Sequence, residues 1–113
     1  MTKYGIHLGK IDTDPRESLE AIKAASFDAV LLHLGGKYPD RDLADAIAGA
    51  GLVIDNVHAP WDGINHIWRA GERGEAVTER LLGHMETCAS LGVKRVVYHV
   101  SAGNNYPPIS EIG

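Results

Sequence analysis

The sequence predicts an α/β fold of four parallel βα units, the arrangement of the N-terminal half of a (β/α)8 TIM barrel. Three observations carry this. Short apolar runs alternate with helical stretches, a histidine stands at or beside the end of each run, and the first two units repeat one short motif. A single half-barrel domain over 1–113 accounts for the chain.

The first strand is expected near 4–9, where Tyr4-Gly5-Ile6-His7-Leu8-Gly9 is an apolar run bounded by glycine. Asp14-Pro15-Arg16-Glu17 then supplies an N-cap, a proline at N1 and an acidic N3 residue, and helical spacing through Leu19 and Ile22 carries on to Ala25. The second strand falls near 28–34, ending Leu32-His33-Leu34-Gly35. Pro39 and Asp40 restart a helix that Gly51 ends, because glycine takes the left-handed C′ position cheaply. Leu52 to His58 forms the third strand, near 52–58. A longer helix from about Glu72 to Leu91 lines up Val77, Leu81, Met85, Cys88 and Leu91 as its core side, with Gly92 as its stop. The fourth strand is expected near 93–100, and Pro107-Pro108-Ile109-Ser110 reads as the start of a fourth helix.

Strands separated by whole helices pair in parallel, since a tight hairpin joins only antiparallel neighbours. Ile6-His7-Leu8-Gly9-Lys10 matches Leu32-His33-Leu34-Gly35-Gly36-Lys37, twenty-six residues apart between the histidines. A repeating βα unit suits a barrel better than a doubly wound sheet, whose strand order reverses. No Gly-x-Gly-x-x-Gly follows the first strand, which argues against a dinucleotide site.

Composition excludes several partners. A formal charge of −4 without any basic run leaves little to neutralise phosphates, so no nucleic acid is expected. No stretch reaches the roughly 18 apolar residues of a membrane span, and the N-terminus lacks a signal-peptide apolar region. No membrane partner and a cytoplasmic location are expected. Cys88 is alone, so neither a disulfide framework nor a cysteine zinc cluster is available, and its apolar neighbours suit a buried small side chain.

The histidines are the strongest functional signal. His7, His33, His58 and His99 stand at or next to the C-terminal ends of the four expected strands, the face where parallel α/β folds build their ligand pockets. By strand alternation His58 shares a side with Asn56 and Ile54, and His99 with Val97. Adjacent strands lie about 4.8 Å apart, so His58 and His99 are the pair placed to meet one metal ion, while His7 and His58 start about twice that distance apart. A strand-end imidazole can also simply bridge a carbonyl and a loop amide, and His33 is read that way. Local context singles out two positions: His58-Ala59-Pro60-Trp61 is a stiffened loop with an aromatic wall, and the loop Ser101-Ala102-Gly103-Asn104-Asn105 after His99 is rich in hydroxyl and amide groups. His7, Trp61, Trp68 and Asn104 are the expected substrate-binding residues. The segment from Asn65 to Glu75, which holds Trp68, reads equally as a lid over the pocket and as an ordinary lead-in to the long helix with Trp68 packed beneath it. Glu72 and Glu75 complement a helix N-terminus, and His84 is read as solvated.

His58-Ala59-Pro60, the strand ending in His99 and the following loop resemble the xylose-isomerase-like barrel superfamily, closest to its sugar phosphate isomerase/epimerase members, with endonuclease IV a more distant relative. The resemblance covers the N-terminal half of that barrel. It implies that His58 and His99 bind a divalent metal (Mn, Zn or Mg), as in the endonuclease IV branch, or line the substrate site, as in the isomerase branch. The isomerase branch takes its principal metal ligands from later strands, so no catalytic residue is assigned within this chain. Complete barrels run about 200 residues or more. The chain is therefore expected either to be a fragment or to form a homodimer through its open sheet edges.

Three functions follow. The first is metal-dependent isomerisation or epimerisation of a small carbohydrate, a sugar or polyol, in the complete barrel. The second is a non-catalytic ligand-binding or dimerising half-barrel module. The third is metal-dependent phosphodiester hydrolysis.

Overall fold

The computed structural model describes residues 3–99. The elements run β1 (Gly5–Gly9), α1 (Arg16–Ala24), β2 (Ala29–His33), α2 (Asp40–Gly49), β3 (Val53–His58), a 3-10 turn (Ile64–Trp68), α3 (Glu72–Ser90) and β4 (Val96–Val97). The four strands form one all-parallel sheet in the order β1-β2-β3-β4. The α/β class and the parallel pairing stand as the sequence predicts.

The helix ends explain most of the boundaries. α1 starts one residue later than the capping pattern predicts: Pro15, not Asp14, is the N-cap, its carbonyl accepting the first helical bond from the Leu19 N–H, while the Asp14 carboxylate just before it accepts the Arg16 N–H at 3.0 Å. All three helices close with the same pair of crossed bonds: Ser26 N–H to the Lys23 carbonyl and Phe27 N–H to Ile22, Gly51 to Ala48 and Leu52 to Ile47, Gly92 to Ala89 and Val93 to Cys88. That pattern requires a left-handed residue after the last turn, and Ser26, Gly51 and Gly92 have φ of 68°, 76° and 78°. Leu52 and Val93 spend their N–H groups on closing a helix, so β3 begins at Val53 rather than 52. β4 shortens from the expected 93–100 to the two residues that pair with Val57 and His58. Val100 lies outside the described residues, as do the loop to Asn105 and the expected fourth helix.

The core lies on one face of the sheet. Val30, Leu32 and Val57 are fully buried against Leu19 of α1, Leu43 and Ile47 of α2 and Cys88 of α3. Each such large apolar side chain contributes about 1.5–3 kcal/mol relative to exposure. Ile64 anchors the 3-10 turn in a smaller cluster with Ala59, Val77 and Leu81. Met85, expected on the core side of α3, is instead 46% exposed. It falls off the stripe set by Val77, Leu81 and Cys88.

The other face carries the histidines, in rows set by the register. His7, Leu31 and Asn56 form one row, and His33, His58 and Val97 the next. A bulge at Asp55 corrects the expected alternation in β3. Val30 pairs with Ile54 but Leu31 pairs with Asn56, so Ile54 joins the helix-side core while Asn56 and His58 share the open face.

Candidate functional site

The positions of the strand-end histidines follow from the register. His33 and His58 are ladder partners, and their ring centres lie 5.1 Å apart. His7 sits one row lower on β1, yet its ring is 5.3 Å from His33 and 5.8 Å from His58. The twofold strand spacing expected between His7 and His58 is therefore closed by side chains that converge over the end of β2. The His99 ring centre lies 5.8 Å from that of His58 and 4.6 Å from that of Trp61, the latter pair T-shaped. All four imidazoles are thus linked by neighbour contacts.

The loops that follow the strands hold this arrangement. Gly9 and Gly35, the matched glycines of the repeat, both take positive φ, turning the chain away from the sheet just after each histidine segment. The two loops then dock: the Ile11 carbonyl accepts the Tyr38 N–H at 3.0 Å and the Asp12 carboxylate accepts the Lys37 N–H at 2.8 Å. Gly36 makes the docking possible, because a Cβ there would stand 2.1 Å from the Ile11 carbonyl oxygen. Asp40 at the start of α2 accepts the Gly35 N–H at 3.1 Å.

Between the ends of β2 and β3 and the middle of α3 lies a cavity of about 600 Å³. His33, His58, Pro60 and Trp61 form one wall, and Arg80, His84 and Thr87 of α3 another, with Lys10, Asp40 and Asp62 among the remaining lining residues. The Arg80 guanidinium donates to the Asp62 carbonyl, which ties the Trp61 loop to α3. Trp61 is 51% exposed.

Burial lowers the pKa of His33 below the usual histidine value of 6.5, and the neighbouring His58 and His7 add to the effect. Burial also lowers that of His84, against a smaller opposing pull from Asp40. Both rings are therefore biased toward the neutral form, which can accept as well as donate a hydrogen bond. The Cys88 thiol, 3.7 Å from the His84 Nδ1, is pushed up by burial and behaves as the small apolar residue the sequence suggests. Two buried polar atoms beside the cluster, Asn56 Oδ1 and His99 Nε2, lack a hydrogen-bond partner among the described residues.

The expected site residues divide three ways. His58 and Trp61 line the cavity, and His7 and His99 reach it through ring contacts with His58. His33, read as structural, stands at the centre of the cluster. Trp68 does not line the cavity: the anchoring of Ile64 folds the segment as a packed turn rather than a lid, with Trp68 half-buried in it. Asn104 lies outside the described residues. His84, read as solvated, is half-buried on the cavity wall. A signal for it was present, since Arg80, His84 and Thr87 recur at helical spacing beside the core stripe of Val77, Leu81 and Cys88.

The fit to a hard divalent metal is poor. Mg²⁺ and Mn²⁺ select oxygen donors, whereas the strand ends present imidazoles, and the cavity carboxylate of Asp40 is engaged by a backbone amide. Among the described residues no three His, Cys, Asp or Glu side chains are arranged, as they stand, to hold an ion. Among the described residues no helix is long and apolar enough to cross a membrane. No family model matches the chain, and neither a curated protein nor a solved structure does.

Proposed function

We propose that this sheet is a four-strand segment of a (β/α)8 barrel of the xylose-isomerase-like kind, and that its strand-end cavity binds a small sugar or polyol. The sequential strand order and the placement of all three helices on one face support the barrel reading, since a doubly wound sheet reverses its order and covers both faces. The observation that carries the functional reading is the convergence of four imidazoles and Trp61 beside one cavity.

The residues in hand bind and orient. Neutral His33 and His84 exchange hydrogen bonds with ligand hydroxyls, and the half-exposed ring of Trp61 packs on the C–H face of a sugar ring. The isomerase or epimerase activity of the family belongs to the complete barrel in this reading, and its hard-cation chemistry is not assigned to these residues. Calorimetric titration with a panel of aldoses, ketoses, polyols and their phosphates tests the proposal. Saturable binding by at least one, weakened at least tenfold by Trp61→Ala, is expected. No saturable binding by any would overturn it.

A second reading, association of two copies, is favoured by the edges. Among the described residues β1 pairs only with β2 and β4 only with β3, so each leaves one row of backbone groups without a ladder partner.

A further inference from the structure

We propose that Arg80 of α3 is a positioning residue for the cavity: its guanidinium, by holding the Asp62 carbonyl, latches the Trp61 loop so that Trp61 stands beside the imidazole cluster. The inference rests on the reading of this cavity as a ligand site, and its first test needs no ligand. The ends of the loop are fixed. Ala59 and Ile64 are each 2% exposed, and the Ala59 N–H donates to the Val97 carbonyl at 2.9 Å. The tip between them is held differently. The Ile64 N–H donates to the Trp61 carbonyl at 3.0 Å, closing a β-turn with Asp62 and Gly63 at its centre, and Gly63 takes a φ of 66°. The carbonyl of the first central residue takes no part in closing such a turn, and here Arg80 supplies its donor.

Arg80 reaches the loop because helical spacing puts it with His84 and Thr87 on the α3 wall of the cavity. Trp61 also meets the imidazoles, its ring centre 4.6 Å from that of His99 and 6.5 Å from that of His33. The indole is thus placed by ring contacts and by a tether one residue along the chain. The tether is breakable: Arg80 is exposed, so water competes for the same carbonyl. A guanidinium carries five N–H donors, and the bond to Asp62 leaves others for a ligand oxygen in the cavity that Arg80 lines. An oxygen held there orders the guanidinium in the place from which it bonds the loop. Ligand binding and the placement of Trp61 are coupled in this way, each favouring the other.

Acrylamide quenching of tryptophan fluorescence reads the latch without a ligand, in a Trp68→Phe background that leaves Trp61 as the one tryptophan of the sequence. Arg80→Met keeps the alkyl stem and the helix preference and removes the donors. It should raise the Trp61 quenching constant at least about twofold, with Arg80→Lys in between and the urea midpoint unchanged. Arg41→Met, which removes another exposed arginine bonded to a backbone carbonyl, that of Ser90, should leave quenching as it was. With both tryptophans kept, the indole N–H resonance of Trp61 should shift on Arg80→Met while that of Trp68 stays fixed. Calorimetry with the aldose, ketose, polyol and sugar-phosphate panel then reads the positioning role, and Arg80→Met should weaken every member that binds by at least about fivefold. Unchanged quenching in Arg80→Met would overturn the proposal, as would a rise that Arg41→Met reproduces. So would raised quenching with undiminished affinity. Raised quenching in a chain that binds none of the panel would keep the latch and remove the sugar reading instead.

Discussion

His33 and His58 face each other across the β2–β3 ladder as register partners, with ring centres 5.1 Å apart. Protonating both would set two positive charges within van der Waals reach, at a site where burial already disfavours the first charge on His33.

A pH dependence of stability follows. His33 and His84 both have folded-state pKa values lowered from 6.5, so below that value the unfolded chain binds more protons than the folded one. Their contribution is fully present above about pH 6.5 and is lost as pH falls from there through the folded values. Urea denaturation at pH 7.5 and pH 5.5 checks this. The midpoint should fall at the lower pH, and by less in the His33→Gln, His84→Gln double variant.

The helix ends give a prediction independent of function. Ser26 holds the left-handed position that glycine holds at 51 and 92. Ser26→Gly should stabilise the chain by about 0.5 kcal/mol, the relief of left-handed strain being partly offset by greater freedom of the unfolded backbone. Gly51→Ala should cost about 1 kcal/mol by the same reasoning. Equilibrium urea denaturation measures both, and equal effects at the two sites would contradict the shared closing motif.

Loop docking can be tested at Gly36. A methyl there meets the Ile11 backbone, which lies across two loops and has no flexible side chain to move aside. Gly36→Ala should destabilise by about 1–3 kcal/mol and slow tryptophan-monitored ligand binding, whereas Gly83→Ala, with nothing within 4 Å of its added Cβ, should leave stability unchanged or raised. Thermal denaturation of the two variants side by side separates them.

The fold was largely legible because its signals are local. Apolar runs, the Asp14-Pro15 start signal and the stops at Gly51 and Gly92 depend on residues within one turn of one another, and they locate the helices to within a residue or two. Strand ends were less legible. Leu52 and Val93 look like strand residues, but their N–H groups close helices, and only tertiary hydrogen bonding reveals that. The bulge at Asp55 carries no composition signal, so alternation alone put Ile54 on the wrong face. At the site, the strand-end rule found the four histidines. It missed the α3 wall, because Arg80, His84 and Thr87 look like ordinary solvated helix residues until the cavity beside β3 is formed.

The edges yield a solution-state prediction. If β1 and β4 pair between copies, sedimentation velocity should show a concentration-dependent dimer, and a proline substitution at Val96, whose neighbours Arg95 and Val97 bond inward to β3 so that its own N–H faces the free edge, should disperse it. A single monomer species across micromolar concentrations would contradict edge pairing.

The central claim is that the strand-end imidazoles form one ligand-binding face. Its most direct test is imidazole nuclear magnetic resonance of the ¹⁵N-histidine-labelled chain during titration with the tightest-binding sugar or polyol from the panel. The account predicts that His33, His58 and His84 shift together along one saturation curve while His66 stays fixed. Independent or non-saturating shifts, or shifts confined to His66, would contradict it.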